Sequence, residues 1–261
     1  MVTKQTVNSL IRGVNILKSI SKGNYRIGEI LDDLNLSKGT THRLLKTLAE
    51  VNFVVQDPLS LKYYLGPAIL ELLSDPMLSH NVLIICASGP MQALRDISNE
   101  TVLLHVRAGL QRICLEELES PENIKYTNGK GFVAPLYVGA AGKILLSSLE
   151  DKEIRQLLKN VDFSPITDRT ITDQQTLFGE IYQVRSQGYA LSFGERVVGS
   201  SCVSVLVKNY VIPVALSILG PSNRFNRQKV MDLLPKVRES AEKISKKLMK
   251  VRTESRKENE R

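Results

Sequence analysis

The stretch Ser37–Val51, SKGTTHRLLKTLAEV, decides how the rest of the chain is read. Leu44, Leu45, Leu48 and Val51 fall three and four residues apart, the spacing of one buried helical stripe. Lys38, Thr40, His42, Arg43 and Lys46 gather toward the beginning and lie off that stripe. Ser37 stands where a hydroxyl accepts from an amide of the first helical turn. A helix with this exposed N-terminal half can enter a DNA major groove. Its long cations reach phosphates, and its short polar groups lie nearer the base edges. The bland alternative is a surface helix with a solvated charged face, so the flanking sequence has to decide.

Upstream, Leu10, Val14, Leu17 and Ile20 suggest a first helix over roughly 8–21, capped by Asn8 or Ser9. Gly13 inside it costs about 1 kcal/mol against alanine, which points to close helix packing there. Lys22-Gly23-Asn24 supplies a stop. Ile27, Ile30, Leu31 and Leu34 mark a short second helix, and Asn35 suits the left-handed residue of a tight turn before Ser37. Two helices so joined form a helix-turn-helix. Downstream, Asn52 is a second left-handed stop. Phe53–Gln56, Asp57-Pro58-Leu59-Ser60 and Leu61–Leu65 then read as strand, turn and strand. That hairpin is a wing, from which Lys62 could follow a phosphate backbone.

The charge distribution agrees. The net charge is +8, with +4 in residues 1–65, +5 in 236–261 and −1 between. Basic ends around a neutral middle suit a polyanion-binding module joined to a separate domain. The 261 residues allow two modest domains. No apolar run approaches the roughly 20 residues of a membrane span, and the N-terminus lacks the apolar core of a signal peptide. Cys86, Cys114 and Cys202 are odd in number and widely spaced, as in a reduced cytoplasmic protein.

The segments LSKGTTHRLLKTL, NFVVQDP and YYLGP resemble the winged helix of the IclR family of transcriptional regulators. Leu36, Lys38, Thr40, His42, Arg43, Leu44 and Leu45 match that family's recognition helix. Gly39 replaces the usual serine, Thr41 the usual valine, and Leu31 a frequent alanine. The resemblance implies DNA contacts from Ser37, Lys38, Thr40, Thr41, His42, Arg43 and Lys46, with Lys62 on the wing. It makes a double-stranded DNA operator the partner, bound by a homodimer or a dimer of dimers.

Beyond the wing, residues 1–66 give way to a linker helix over 67–78 that starts at Pro67 and breaks at Pro76. Residues 79–250 mix helices and strands as an α+β domain with a mainly antiparallel sheet flanked by helices. A helix over 80–97 is expected to bury Val82, Ile85, Met91 and Leu94. Strands follow at 100–106 and 113–118, then helices at 140–149, 151–158 and from a Thr172 cap to about 186. Strands at 189–193, 201–208 and 211–219 precede a helix over 226–250 that buries Val230, Leu234, Val237, Ala241, Ile244 and Leu248. The remaining 251–261 are expected to be a disordered basic tail.

PLYVGAAGK (135–143), GYALSFGERVVGSSCVSV (188–205) and VALSILGP (214–221) resemble that family's GAF-like effector domain, which binds a small organic acid or aromatic metabolite. The resemblance places Ala140, Ala141, Ser192, Cys202 and Ser217 at effector-contacting positions. Ser192 replaces an acid found in some members and Leu219 a hydroxyl residue, which implies a less polar pocket and a more apolar or aromatic acid. From the residues alone, Gly139-Ala140-Ala141-Gly142 at a helix start offers amides to a carboxylate, or else packs tightly on the sheet.

Enzyme chemistry has little support. GAAGK lacks the first glycine and the hydroxyl residue of a phosphate-binding loop, and there is no G-x-S-x-G elbow. His42, His80 and His105 lack metal-ligand spacing with a cysteine, and His105 on a strand reads as a satisfied structural histidine. No cofactor is expected. The alternative is an enzyme using Cys202 as nucleophile beneath a DNA-binding head.

Overall fold

A computed structural model describes residues 7–73 and 80–259. The chain divides into two compact units, one ending at Ser79 and one beginning at His80.

The N-terminal unit opens with α1 (Asn8–Ser21), α2 (Ile27–Leu34) and α3 (Lys38–Glu50). Asn35 takes φ 49° after α2, the left-handed turn that the sequence required. Ile16 and Ile20 of α1, Ile30 of α2 and Leu45 of α3 form the core with Val54 and Tyr63. Leu10 and Val14, expected on the buried face of α1, are instead exposed. The buried face runs through Gly13, Ile16, Ser19 and Ile20, shifted round the helix. Val7 precedes the helix without a side-chain cap. A Cβ at Gly13 would meet nothing within 4 Å, so no close helix contact explains that glycine.

The wing pairs β1 (Val54–Gln56) with β2 (Tyr63–Leu65) in antiparallel register. Asp57 builds its turn: its carboxylate accepts from the amides of Leu59 and Ser60 at 3.3 and 3.0 Å and from the Ser60 hydroxyl. Behind the wing, a Cβ on Gly66 would lie 2.2 Å from the Asn52 carbonyl oxygen. Only glycine lets the chain pass there into α4 (Pro67–Leu73). The expected linker break at Pro76 lies outside the described residues.

The C-terminal unit starts with α5 (Asn81–Ser98), which buries Leu83, Cys86, Met91 and Leu94. Val82 and Ile85, expected inside, are exposed because the buried stripe passes through Leu83, Cys86 and Ala87. Then come β3 (Thr101–Ala108), β4 (Gln111–Leu118), β5 (Val133–Pro135), α6 (Gly139–Ser147), α7 (Asp151–Leu158), α8 (Gln174–Gln187), β6 (Ala190–Phe193), β7 (Ser200–Val207), β8 (Val214–Pro221) and α9 (Arg227–Asn259). The six strands form one antiparallel sheet in the order β5-β4-β3-β8-β7-β6. All eight residues of β8 are buried, as a strand covered on both faces requires. Helices α6, α7 and α8 make one apolar cluster that packs on the sheet. Helices α5 and α9 pack together and against strands.

Two boundaries differ from expectation. Asp173, not Thr172, caps α8, its carboxylate accepting from the Thr176 amide at 2.8 Å. Helix α9 does not stop at 250 but continues to Asn259, because VRTESRKEN contains no Pro or Gly to end it. The six residues expected to be buried along α9 are all buried.

Candidate functional site

The first site is the exposed side of α3. The Ser37 hydroxyl caps the helix, accepting from the Thr40 amide at 3.4 Å and donating to the Thr40 hydroxyl at 2.9 Å. Lys38, His42, Arg43 and Lys46 are exposed. Their side chains have no hydrogen-bond or ion-pair partner among the described residues. Leu45 below them is buried, so the leucine stripe and the cationic side face apart. Thr40 and Lys62 are half-buried beside this surface and on the wing, respectively.

Thr41 does not belong with them. It is fully buried, and its hydroxyl donates to the Ser37 carbonyl at 3.2 Å, inside the helix-turn-helix core. Val51, assigned to the leucine stripe, is about half exposed.

The second site is a small cavity in the C-terminal unit, with a volume of about 30 Å³. Its floor is the sheet face carrying Leu103, His105, Cys202 and Leu219, and its wall is the start of α6 at Gly139, Ala140 and Ala141. Ser192 on β6 and Arg196 from the loop after it close one side. Four of the five expected effector positions therefore come together: Ala140, Ala141, Ser192 and Cys202. Ser217 lies outside the lining. It is fully buried and its hydroxyl is 2.7 Å from that of Ser204.

Charged and polar side chains stand among the mainly apolar lining. Arg112 is buried, and its Nη1 donates to the carbonyls of Pro135 and Val138 at 2.6 and 2.7 Å, while its Nε has no partner. Arg196 stacks over Phe132 with 4.9 Å to the ring centroid and donates to the Asn128 side-chain oxygen. His105 is not a satisfied histidine: both ring nitrogens are buried and unpartnered. Burial, then the Arg112 and Arg196 charges, drive its pKa well below the ordinary histidine value. Burial likewise lowers Arg112 to about 10. Among the described residues neither guanidinium forms an ion pair.

The amides of the α6 start are not all free. Glu195, buried in the loop beside Arg196, accepts from the Gly139 amide at 3.0 Å through Oε2, and Lys143 Nζ donates to Oε1 at 2.6 Å. Lys143 also reaches Glu180 at 3.0 Å and is itself buried. The loop backbone is pinned by Thr170, whose hydroxyl donates to the Glu195 carbonyl at 2.7 Å.

Sequence reasoning passed over Arg112, Arg196, Asn128 and the Lys143–Glu195 pair. One signal was present: Arg112 shares strand parity with Cys114, and both point into the buried side of β4. The bulge between Leu104 and His105 in the β3–β4 pairing left no such signal.

Cys202 lines the cavity, and burial pushes its thiol up to about 11. At neutral pH it is protonated, the wrong state for a nucleophile. Among the described residues no His, Cys, Asp and Glu cluster could hold a metal ion, and no helix is long and apolar enough to cross a membrane.

A winged helix-turn-helix with an outward cationic recognition helix, followed by a separate α+β domain with a small cavity, is the build of a ligand-responsive transcriptional regulator. The chain belongs to the IclR family. Residues 9–58 match the IclR helix-turn-helix domain, and residues 76–246 match the bacterial transcriptional regulator IclR C-terminal domain. It is 30% identical over 249 residues to the HTH-type transcriptional repressor AllR of Escherichia coli, covering 94% of this chain and 91% of that one. The Thermotoga maritima IclR structure aligns with TM-score 0.62 and 28% identity over 92% of this chain and 98% of that one. The C-terminal domain of the E. coli regulator KdgR aligns with TM-score 0.58 and 30% identity, over 64% of this chain and 98% of that one.

Proposed function

We propose that this chain represses transcription by binding a palindromic operator as a dimer or a dimer of dimers, and that a small acid bound in the C-terminal cavity changes that affinity. The observation that carries the reading is the outward row Lys38, His42, Arg43 and Lys46 on α3, above leucines that face the core. Arg43 reads a base or an adjacent phosphate, and Lys46 and Lys62 contact phosphates. Repression is the activity in the name of the E. coli relative.

A single winged helix makes too few contacts for a specific site, so two copies act on half-sites about one helical turn, roughly 34 Å, apart. The exposed apolar residues Leu10, Ile11 and Val14 of α1 and Leu70 and Leu72 of α4 supply surface for that pairing. Effector binding then shifts operator affinity by a coupling of about 1–3 kcal/mol. The free thiols of Cys86, Cys114 and Cys202 suit a cytoplasmic regulator. The protonated Cys202 thiol disfavours the enzyme alternative.

The test is a gel shift against DNA selected from a random pool. Wild-type protein should enrich a palindrome, and Arg43→Ala should weaken binding by about 1–3 kcal/mol if it reads a base. Unchanged affinity in that variant would remove Arg43 from the interface, and failure to enrich any palindrome would reject the repressor reading.

A further inference from the structure

The cavity holds three unmet demands in one place. His105 is 2% exposed with neither ring nitrogen bonded, Arg112 is 4% exposed with its Nε unbonded, and Arg196 lines the same space without an ion pair among the described residues. A buried donor left unpaired costs about 1–3 kcal/mol, and more when charged, so a molecule entering the cavity that pairs these groups is favoured.

The charges add to the argument. A Cβ on Gly139 would lie 3.7 Å from Arg112 Nη2 and 4.0 Å from Ser192 Oγ, so that guanidinium sits at the N-terminal end of α6. That end is the positive pole of the helix. A second guanidinium, Arg196, lines the same space, and its charge adds to burial in lowering the pKa of Arg112. Two carboxylates lie near but are engaged elsewhere: Glu195 by Lys143 and the Gly139 amide, Glu117 by the amides of Asn128 and Gly129 at 2.8 and 3.0 Å. The position Ser192 occupies carries no charge of its own.

We propose that Arg112, Arg196 and His105 form the recognition wall of the cavity and select a compact dianionic acid, with two ionised groups close together, over a monoanionic one. The inference rests on the ligand-domain reading above. One carboxylate lies across Arg112 Nε and the α6 start, the second meets Arg196, and the neutral imidazole of His105 hydrogen-bonds between them. A guanidinium presents paired donors that match a carboxylate edge. The space is only about 30 Å³, so entry moves Arg196 off Asn128, and only a short acid is accommodated. This replaces the aromatic acid that the Ser192 and Leu219 substitutions suggested.

Calorimetric titration of the full-length protein tests it, with oxalate and malonate against acetate and glycolate at matched ionic strength. The expected result is at least tenfold tighter binding of a dianion. Arg196→Gln should bring the ratio close to one, and His105→Asn should weaken binding without changing the ratio. Melting curves of both variants identify any that fail to fold, and Arg196→Lys, which keeps the charge, should restore part of the preference. Equal or tighter monoanion binding, no binding by any of the four, or a preference that survives Arg196→Gln in folded protein overturns the proposal. Operator binding by the ligand-free protein is measured separately. Its loss would count against the regulator reading and leave the calorimetric result standing.

Discussion

Lys143 Nζ and Glu195 Oε1 stand 2.6 Å apart with both residues buried, and the other oxygen of the same carboxylate holds the first amide of α6. One side chain thus ties the loop that carries Arg196 to the helix that walls the cavity. Removing one member of a buried ion pair costs about 3–5 kcal/mol when the other is left unmatched; Lys143 keeps Glu180 at 3.0 Å, which places the cost at the lower end of that range. Glu195→Leu should therefore lower the stability of the C-terminal unit by that amount in urea unfolding. Lys143→Met with Glu195→Leu should recover much of it. A double variant no better than Glu195→Leu alone would mean that the pair is not coupled as its geometry indicates.

Thr41 and Lys46, one buried and one exposed on the same helix, should behave in opposite ways. Thr41 is buried with its hydroxyl on the Ser37 carbonyl, so Thr41→Val should change stability by no more than about 1 kcal/mol and leave gel-shift affinity unaltered. Lys46→Ala should weaken binding evenly across DNA sequences and reduce the salt slope by about one.

Gly142 is fixed by space. A Cβ there would stand 2.0 Å from the Leu136 carbonyl oxygen, a backbone atom that cannot step aside. Gly142→Ala should destabilise the C-terminal unit by about 1–3 kcal/mol or more, read as a lower thermal midpoint.

His105 gives a pH dependence with a definite sign. Burial and the two arginines hold its folded-state pKa well below the ordinary value, whereas in the unfolded chain it titrates near 6.5. Below about pH 6.5 the unfolded chain takes up the proton and the folded one does not. This residue therefore lowers stability as pH falls, by up to about 1.4 kcal/mol per pH unit. Comparing His105→Gln with wild type from pH 7.5 to 5.5 should show a shallower loss for the variant. Parallel curves would mean that the imidazole is protonated in the folded protein.

The helix-turn-helix was legible because its signals are local. Asn35 and Asn52 take the left-handed conformation their positions suggested, and the periodicity of α2 and α9 marked their buried sides. Burial failed where the apolar residues outnumber one stripe. Leu10 and Val14 in α1, and Val82 and Ile85 in α5, belong to helices with enough apolar residues for two faces, and tertiary packing chose the other. The cavity was half legible. Ala140, Ala141, Ser192 and Cys202 came from family likeness, but Arg112, Arg196 and His105 meet only through strand pairing across large sequence separations. A register set by a bulge and a loop lies beyond any local pattern.

The pairing of β3 with β8 joins Thr101 to Leu219, and α5 packs against α9, so the first and last elements of the C-terminal unit need each other. The N-terminal unit has no such demand, since its core is complete by Tyr63. On a ribosome adding roughly 5–20 residues per second, the DNA-reading head can form before the C-terminal unit has been translated. The ligand-binding body has to wait until β8 and α9 have emerged. For those seconds α5, β3 and β4 lie open to chaperones and to premature association, and slow stretches of translation before residue 214 would lengthen that interval.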